Sequence, residues 1–468
     1  MDYAIDNITK DKIEVQKQKV LGAHPEVLLK SPCKVGEGIL QLSPQVKQYL
    51  TKIFEKESFS SCFFIPASGS GSRMFQFLFD FLEQPNEENR GEVEKFLNHI
   101  TDFAFFQQLP IDVRKKLETH DIDLDDFVSF LLKGHGMGYG DLPKGLIPFH
   151  KTGPFILNPF QEQVLQGVRV RNEDVRFHFT VQSKFETAIK NSVLHTQGLT
   201  SQSYDVSFSD QDSTTNSYAF TASGESFCDE NGRMLDRPAG HGALLSNLNK
   251  IDSDLIFIKN IDNVQHFSKS NDSVDVWKLL GGMIIDFKKE AKKLYQNPTI
   301  EGLQVLNKRF QLYEPSTIKG LSVGEIRDLL NRPTRVCGMV RNEGQPGGGP
   351  FWVDDNGHVS KQIIEKAQIT MRGEQYRLMV QSTYFNPVMI VCSIKGVDNE
   401  KFDLMKYSDE SKFFVVNKKY RGQDIRFIEL PGLWNGSMAY WNSLFVEIPS
   451  ESFTPVKTVL DLLDNSHK

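Results

Sequence analysis

The sequence predicts an α/β protein, and two stretches carry that prediction. In the first, Ser61 to Pro66 (SCFFIP) is a short apolar run that breaks into a small-residue loop, ASGSGSRM, before helical periodicity restarts in FQFLFDFL. In the second, residues 237–264 (RPAGHGALLSNLNKIDSDLIFIKNIDNV) run in the order glycine loop, helix, buried strand and carboxylate. Gly240 and Gly242 admit a close backbone approach. Leu244, Leu248 and Ile251 recur at helical spacing, and Leu255 to Ile258 is an apolar run that suits a strand covered on both faces. Asn260, Asp262 and Asn263 then fall where open α/β sheets place their ligands, beyond the carboxyl ends of strands.

The remaining elements follow in chain order. Residues 1–60 read as a polar, lysine-rich helical lead-in, with a helix start at Ser43-Pro44. Residues 61–330 read as a nucleotide-binding α/β domain. Within it, residues 80–133 (EVEKFLNHITDFAFF, DVRKKLETH, DLDDFVSFLLK) form a helical insertion broken at Pro110 and at Asp121 to Asp125. A loop with Gly134, Gly136, Gly138 and Gly140 leads to DLPKGLIPFH, and VRFHFTVQS resumes strand texture. Residues 267–335 are largely helical, and from Thr334 short apolar segments and glycines mark a β-rich part, residues 331–468. No internal repeat or low-complexity tract occurs.

With 468 residues, the chain exceeds what a single core supports, about 250–300 residues. The net charge of −6 argues against a nucleic-acid partner. Cys33, Cys62, Cys228, Cys337 and Cys392 contain no C-x-x-C pair, which fits packed or free thiols in a reducing compartment. The charged N-terminal stretch and the lack of an apolar run of about 20 residues predict a soluble cytoplasmic protein without a membrane partner. Oligomeric state has no signature here.

Several residues suit phosphate chemistry, each beside a plainer reading. SGSGSRM, from Ser68 to Met74, offers backbone N–H groups in a tight turn and an arginine at the next helix start, as an anion cradle or as a turn without a ligand. It lacks the Gly-Lys-Ser/Thr ending of a Walker loop and the last glycine of the dinucleotide fingerprint. Lys144, between Pro143 and Gly145, is a phosphate lysine or an exposed loop lysine. Asp262 is a metal ligand or a turn-capping residue. His241 has a plain reading as a polar loop residue, and residues 342–352 (NEGQPGGGPFW) suit a hairpin turn or a sugar-contacting loop. No hydrolytic triad, zinc spacing or catalytic carboxylate pair stands out.

Taken in order, these motifs resemble the UDP-glucose pyrophosphorylase family of nucleotidyltransferases. SGSGSRM resembles its glycine-rich loop at Gly69, Gly71, Ser72, Arg73 and Met74, and Pro143-Lys144 matches its Pro-Lys motif. Pro238, Gly240, His241 and Gly242 match Pro-x-Gly-His-Gly, followed by Asn260, Ile261, Asp262 and Asn263. GGGPFWVDDNGHVSKQIIEKAQI is similar to the family's Gly-Gly strand and Glu-x-Ala-Gln segment, and STYFNP supplies Asn386. PVKTVLDLL resembles the closing Pro-Val-Lys-Thr motif at Lys457. The helical insertion separates Arg73 from Lys144 where the family has a short loop, and the chain is expected to form a bacterial domain-of-unknown-function family related to these enzymes.

The resemblance implies a glycosyltransferase-A-like α/β fold with a mixed, mainly parallel central sheet flanked by helices. It implies a reaction joining a nucleoside triphosphate, UTP-like, to a sugar 1-phosphate with release of pyrophosphate. Arg73, Lys144 and Lys457 would then be catalytic, and Asp262 would hold Mg²⁺. Ser68, Gly69, Gly71, Ser72, Gln211, Gly240, His241 and Gly242 would bind the nucleotide, and Gly348, Glu365 and Asn386 the sugar. Two alternatives are a non-catalytic nucleotide-sugar binding or regulatory protein and a sugar transferase. The latter normally needs an Asp-x-Asp pair, of which Asn260-Ile261-Asp262 supplies one carboxylate.

Overall fold

Strand Ser61–Pro66 forms where the apolar run predicts it, and it is buried except at its last residue. In this computed structural model, which describes residues 7–22, 26–84, 86–171, 173–200, 203–344, 347–355 and 357–468, the chain divides into two compact units. One, here the glycine-loop unit, comprises Phe59–Asp210, Phe257–Lys278 and Pro449–Lys468. The other, the histidine-loop unit, comprises Met1–Ser58, Gln211–Ile256 and Leu279–Ile448. The α/β class with a mixed, mainly parallel sheet and flanking helices holds for the chain.

In the glycine-loop unit, Ser61–Pro66 runs parallel to Val175–Thr180, which runs parallel to Asp205–Ser209. Phe63 stacks on Phe177 at 5.3 Å and on Phe257 at 4.7 Å, so the aromatic residues that make SCFFIP apolar are what cover the sheet. Helix Pro159–Val170 starts at a capping box between Asn158 and Gln161, with Pro159 in the first turn. It closes tightly on the strands because Gly167 has no side chain: a Cβ there would lie 2.4 Å from Phe177.

The helical insertion appears as helices Glu87–Asn98, Ile111–Glu118 and Leu124–Leu132, the first two joined by 3₁₀ turns. Pro110 precedes the second and Asp123 caps the third, as the sequence breaks predict. Phe81, Phe96, Phe105 and Phe127 form one buried cluster, which also takes in Val456, Val459 and Leu462. The insertion and the distant segment carrying Lys457 thus share a core.

In the histidine-loop unit, Gly38–Leu40, Asn442–Glu447 and Thr334–Arg341 lie side by side and parallel. Ile390–Ser393 and Tyr384–Phe385 join Thr334–Arg341 in antiparallel register. A second sheet is antiparallel, with Leu29–Pro32, Gly349–Asp355 and His358–Ile364. Two further strands, Phe414–Tyr420 and Gln423–Glu429, make a hairpin, so the C-terminal part is β-rich. Ser43 caps helix Pro44–Lys56 as expected. The stretch before it holds short strands as well as helix Asn7–Leu21, because Leu29–Pro32 and Gly38–Leu40 pair with partners near residues 351–353 and 445–446. Gln345 and Pro346 of the glycine-dense turn lie outside the described residues. Among the described residues no helix is long and apolar enough to cross a membrane.

Gly167→Ala tests the close fit of helix and sheet. Its helix-propensity gain of about 1 kcal/mol is outweighed by overpacking against Phe177, so net destabilisation of about 1–2 kcal/mol is expected in urea unfolding.

Candidate functional site

The glycine loop begins where strand Ser61–Pro66 ends, and the chain from residue 139 to 147 runs against it. Gly71 N–H donates to the Leu142 carbonyl at 2.8 Å, Lys144 N–H donates to the Gly69 carbonyl at 3.2 Å, and Ser70 bridges Pro143. The Gln182 amide fixes the Ser68 carbonyl at 2.8 Å, and the hydroxyls of Ser70 and Ser72 are 2.7 Å apart. The two glycines have different reasons to be there. A Cβ on Gly71 would lie 2.5 Å from Ile147 and 3.1 Å from two carbonyls, so the loop needs a bare backbone to close on its neighbour. Nothing lies within 4 Å of a Cβ position on Gly69, so that side of the loop is open. Arg73 follows, exposed, in the 3₁₀ turn Ser72–Phe75.

This pairing delivers Lys144 to Asp262. Asp262 sits in the turn after strand Leu255–Ile258, where the Gln163 amide holds the Asn260 carbonyl at 2.9 Å. The Lys144 ammonium donates to Asp262 Oδ2 at 3.0 Å, and the Lys457 ammonium donates to the same oxygen at 3.1 Å. Lys457 arrives from 195 positions away because its segment is stitched beside the turn. Val456 N–H donates to the Asp262 carbonyl at 3.1 Å, Thr454 N–H donates to Asn263 Oδ1 at 3.1 Å, and Asn263 bridges Pro455. Asp461 Oδ2 then accepts from the backbone N–H groups of Lys457 and Thr458, in a capping box with Thr458.

Burial sets the electrostatics. It pulls the Lys144 ammonium below its usual range, against the attraction of Asp262 and with the help of Lys457's charge. Burial alone would push the Asp262 carboxyl up, but the two ammonium groups outweigh it and hold it below the usual carboxylate range. Lys144 and Asp262 each keep 13% of their side-chain exposure and Lys457 keeps 54%, so one cation is enclosed and the other faces water. Asp262 is the one carboxylate bonded to both lysines, and among the described residues no group of three or more His, Cys, Asp or Glu side chains is placed to hold a metal ion.

A second cluster lies in the histidine-loop unit. Gly240 takes the left-handed φ of +73° that favours glycine, and it precedes the 3₁₀ turn His241–Leu244. A Cβ on Gly242 would lie 2.1 Å from the Pro431 carbonyl. His241 Nδ1 accepts from Leu433 N–H at 3.0 Å, which leaves the proton on Nε2, and that atom meets Glu365 at 3.3 Å. The ring stacks on Trp434 at 4.2 Å. Burial would raise the Glu365 carboxyl, but its bonds from His241 and Asn435 hold it below its usual range. Gly348 is next to Glu365, since a Cβ on it would lie 3.8 Å from Glu365 Cγ. Asn386 joins Gly348 through its backbone, whose N–H donates to the Gly348 carbonyl at 2.9 Å, while its side-chain amide donates to the Gly338 carbonyl at 2.8 Å and its side-chain oxygen accepts from Val388 N–H at 3.1 Å. Gln211 is half-buried in the same unit.

A family model described as a domain of unknown function, DUF4301, matches residues 2–468. The chain belongs to the DUF4301 family. No curated protein matches it. Solved structures similar to this DUF4301 chain include a UDP-glucose phosphorylase from Trypanosoma brucei, 13% identical, with a TM-score of 0.43 over 94% of this chain and 69% of that one. A UDP-glucose pyrophosphorylase from Leishmania major is 11% identical, with a TM-score of 0.45 over 99% of this chain and 76% of that one. An inositol-1-phosphate CTP transferase from T. maritima is 9% identical, with a TM-score of 0.31 over 84% of this chain and 92% of that one.

Sequence reasoning missed the supports of the DUF4301 cluster. Asp461 was legible as the last letter of a Thr-x-x-Asp capping box. Gln163, Gln182 and Trp434 left no signal, because each acts across a long sequence separation.

Gly71→Ala should lower the melting temperature and Gly69→Ala should leave it unchanged, a contrast that differential scanning calorimetry reads directly. Asp262→Asn leaves two ammonium groups facing each other and should cost about 2–4 kcal/mol at neutral pH, the buried-pair range reduced by the exposure of Lys457. The carboxyl is held low in the folded state, so this contribution is complete above the ordinary carboxylate range and fades as pH falls through the lower folded value. The difference between the two proteins in urea unfolding should therefore shrink in acid.

Proposed function

We propose that the chain is a nucleotidyltransferase that joins a nucleoside triphosphate to a sugar 1-phosphate and releases pyrophosphate. The observation that carries this reading is the convergence of Lys144 and Lys457 on Asp262, beside a glycine loop with one open side. The kinship of DUF4301 with the UDP-sugar pyrophosphorylases belongs to the proposal and rests on the order of the motifs. An oxygen of the sugar phosphate attacks the α-phosphorus of the triphosphate. One P–O bond forms there, the bond to the bridging oxygen breaks, and pyrophosphate leaves with that electron pair. The attacking oxygen is already anionic, so the chemistry asks for alignment and charge neutralisation and not for a general base.

Lys144, Lys457 and Arg73 are the groups suited to that neutralisation, and the backbone of Ser68 to Ser72 is suited to the triphosphate. One carboxylate fits a Mg²⁺ ion that arrives with the triphosphate, because Mg²⁺ commonly takes one or two protein carboxylates and completes its shell with phosphates and water. Asp262 would hold it, and the bound ion would offset charge on the phosphates. Gly240, His241, Gly242 and Gln211 are assigned to the nucleotide, and Glu365 with Gly348 to sugar hydroxyls. Asn386 drops out, since its amide is already bonded to the backbone.

The sharing of Asp262 Oδ2 by two lysines also favours a second reading, a nucleotide-sugar binding protein without turnover, in which the cations bind phosphates and no metal is engaged. The two separate in a screen of the four nucleoside triphosphates against common sugar 1-phosphates, read by pyrophosphate release. Turnover with any pair supports the enzyme, and Lys144→Ala should then slow it by roughly 10² to 10³. Thermal stabilisation by a nucleotide sugar without pyrophosphate release from any pair would leave the binding reading.

A further inference from the structure

In the same unit as Asp262 lies a buried polar chain that neither the motifs nor the proposed reaction uses. His150 places Nδ1 2.7 Å from Glu162 Oε1 and Nε2 2.9 Å from His467 Nδ1. The rings of His150 and His467 stack at 5.2 Å. His150, Glu162 and His467 keep 1%, 2% and 5% of their exposure, so bulk solvent is largely excluded from them. His467 belongs to the segment that carries Lys457, and that segment is held along its length by the chain around Asp262. Gln265 donates to the Glu451 carbonyl at 2.5 Å, Val456 N–H donates to the Asp262 carbonyl at 3.1 Å, and His266 N–H donates to the Ser466 carbonyl at 3.0 Å. Lys457 therefore lies between two anchorages of one strap, and the His467 ring is the buried side chain at the far one.

We infer that His467 is a positioning residue for Lys457: docked on His150, it pins the strap Pro449–Lys468 so that Lys457 stays on Asp262, and a proton taken up by His467 opens the strap. The hydrogen-bond inventory gives the reason. Burial pushes the Glu162 carboxyl up to about 8, so at neutral pH it donates to His150 Nδ1. His150 then donates from Nε2 to His467 Nδ1, and all three groups are neutral and bonded. A proton on His467 Nδ1 would set a donor against a donor and place a charge where burial resists it.

The charged surroundings do not offset that cost. His266 and His150 face His467 from neighbouring elements, Asp461 opposes them from its own segment, and Lys259 and Arg169 act on Glu162. Burial pulls His467 down from 6.5 to about 3. The docked form is thus fully favoured above the ordinary histidine value and weakens as pH falls below it, because the released ring binds a proton that the docked ring refuses. His467 is the member of the chain that leaves with the strap, so the opening follows its titration.

The position of the strap is independent of the proposed reaction; only its consequence for phosphate binding rests on that reading. Hydrogen exchange on the full chain without ligand tests it, at pH 7.5 and 5.5 with intrinsic rates corrected. Protection of the Thr454 and Val456 amides should fall about tenfold at the lower pH relative to strand Ser61–Pro66, since each lost tenfold corresponds to one modest buried interaction. His467→Gln, neutral at both pH values, should show the weakened protection at both. Unchanged protection of Val456 across the pH range in the parent chain overturns the inference, and so does parent-like behaviour of His467→Gln. If that variant does not fold, the parent pH series and His150→Gln, expected to weaken the same amides at both pH values, decide the matter. Pyrophosphate affinity, measured in parallel, separates the two proposals: a strap that opens with no change in affinity keeps the latch and counts against Lys457 as a phosphate ligand.

Discussion

One oxygen atom organises the glycine-loop unit. Asp262 Oδ2 accepts from Lys144 and from Lys457, and each lysine reaches it on a segment that has been paired to something else first. Lys144 comes on the chain laddered to the glycine loop, and Lys457 on the chain bridged to Asn263. Two unit charges 4 Å apart interact by about 4 kcal/mol at an effective dielectric of 20, so neither lysine would rest beside the other here without the carboxylate. The strand that ends at Ile258 gives this carboxylate a fixed place, with all four of its residues buried.

The letters of this site were legible in the sequence, and its geometry was not. Gly71, Lys144, Asp262 and Lys457 were each visible as residues in motifs, but a linear chain does not state that two lysines share one oxygen. That depends on pairings such as Asn263 with Pro455, which span almost two hundred positions. Asn386 shows how little a letter says about bonding. Its letter fits a sugar contact, and its amide bonds the Gly338 carbonyl of strand Thr334–Arg341 and the Val388 N–H. The His150, Glu162 and His467 chain has no spacing signature, because it joins a short strand, a helix and a distant strap.

The fold was more legible for the same physical reason inverted. Elements whose signal is local, such as the apolar run SCFFIP, the Ser43-Pro44 helix start and the breaks at Pro110 and Asp123, lie where the periodicity puts them. Leu29–Pro32 and Gly38–Leu40 are strands because of partners more than three hundred residues away, and no local pattern announces them. Gly71 makes a similar point at atomic scale. A glycine-rich loop suggests unusual dihedral angles, but the residue that precedes the 3₁₀ turn has an ordinary right-handed conformation, and its lack of a side chain serves a close approach instead.

Charge balance separates a structural role for the cluster from a functional one. A single enclosed lysine would neutralise Asp262, and Lys144, as exposed as the carboxylate itself, already does so. Lys457 adds a second positive charge, and it is the cation left more than half exposed. A surface lysine at such a place would normally be free to swing into solvent. Here its N–H is tied to Asp461, the preceding Val456 N–H to the Asp262 carbonyl, and its segment is anchored on both sides. The second cation adds to the charge that holds the Asp262 carboxyl down, and it does so from a position open to solvent. This leaves an exposed ammonium near bare backbone, the kinds of group that suit a phosphate chain.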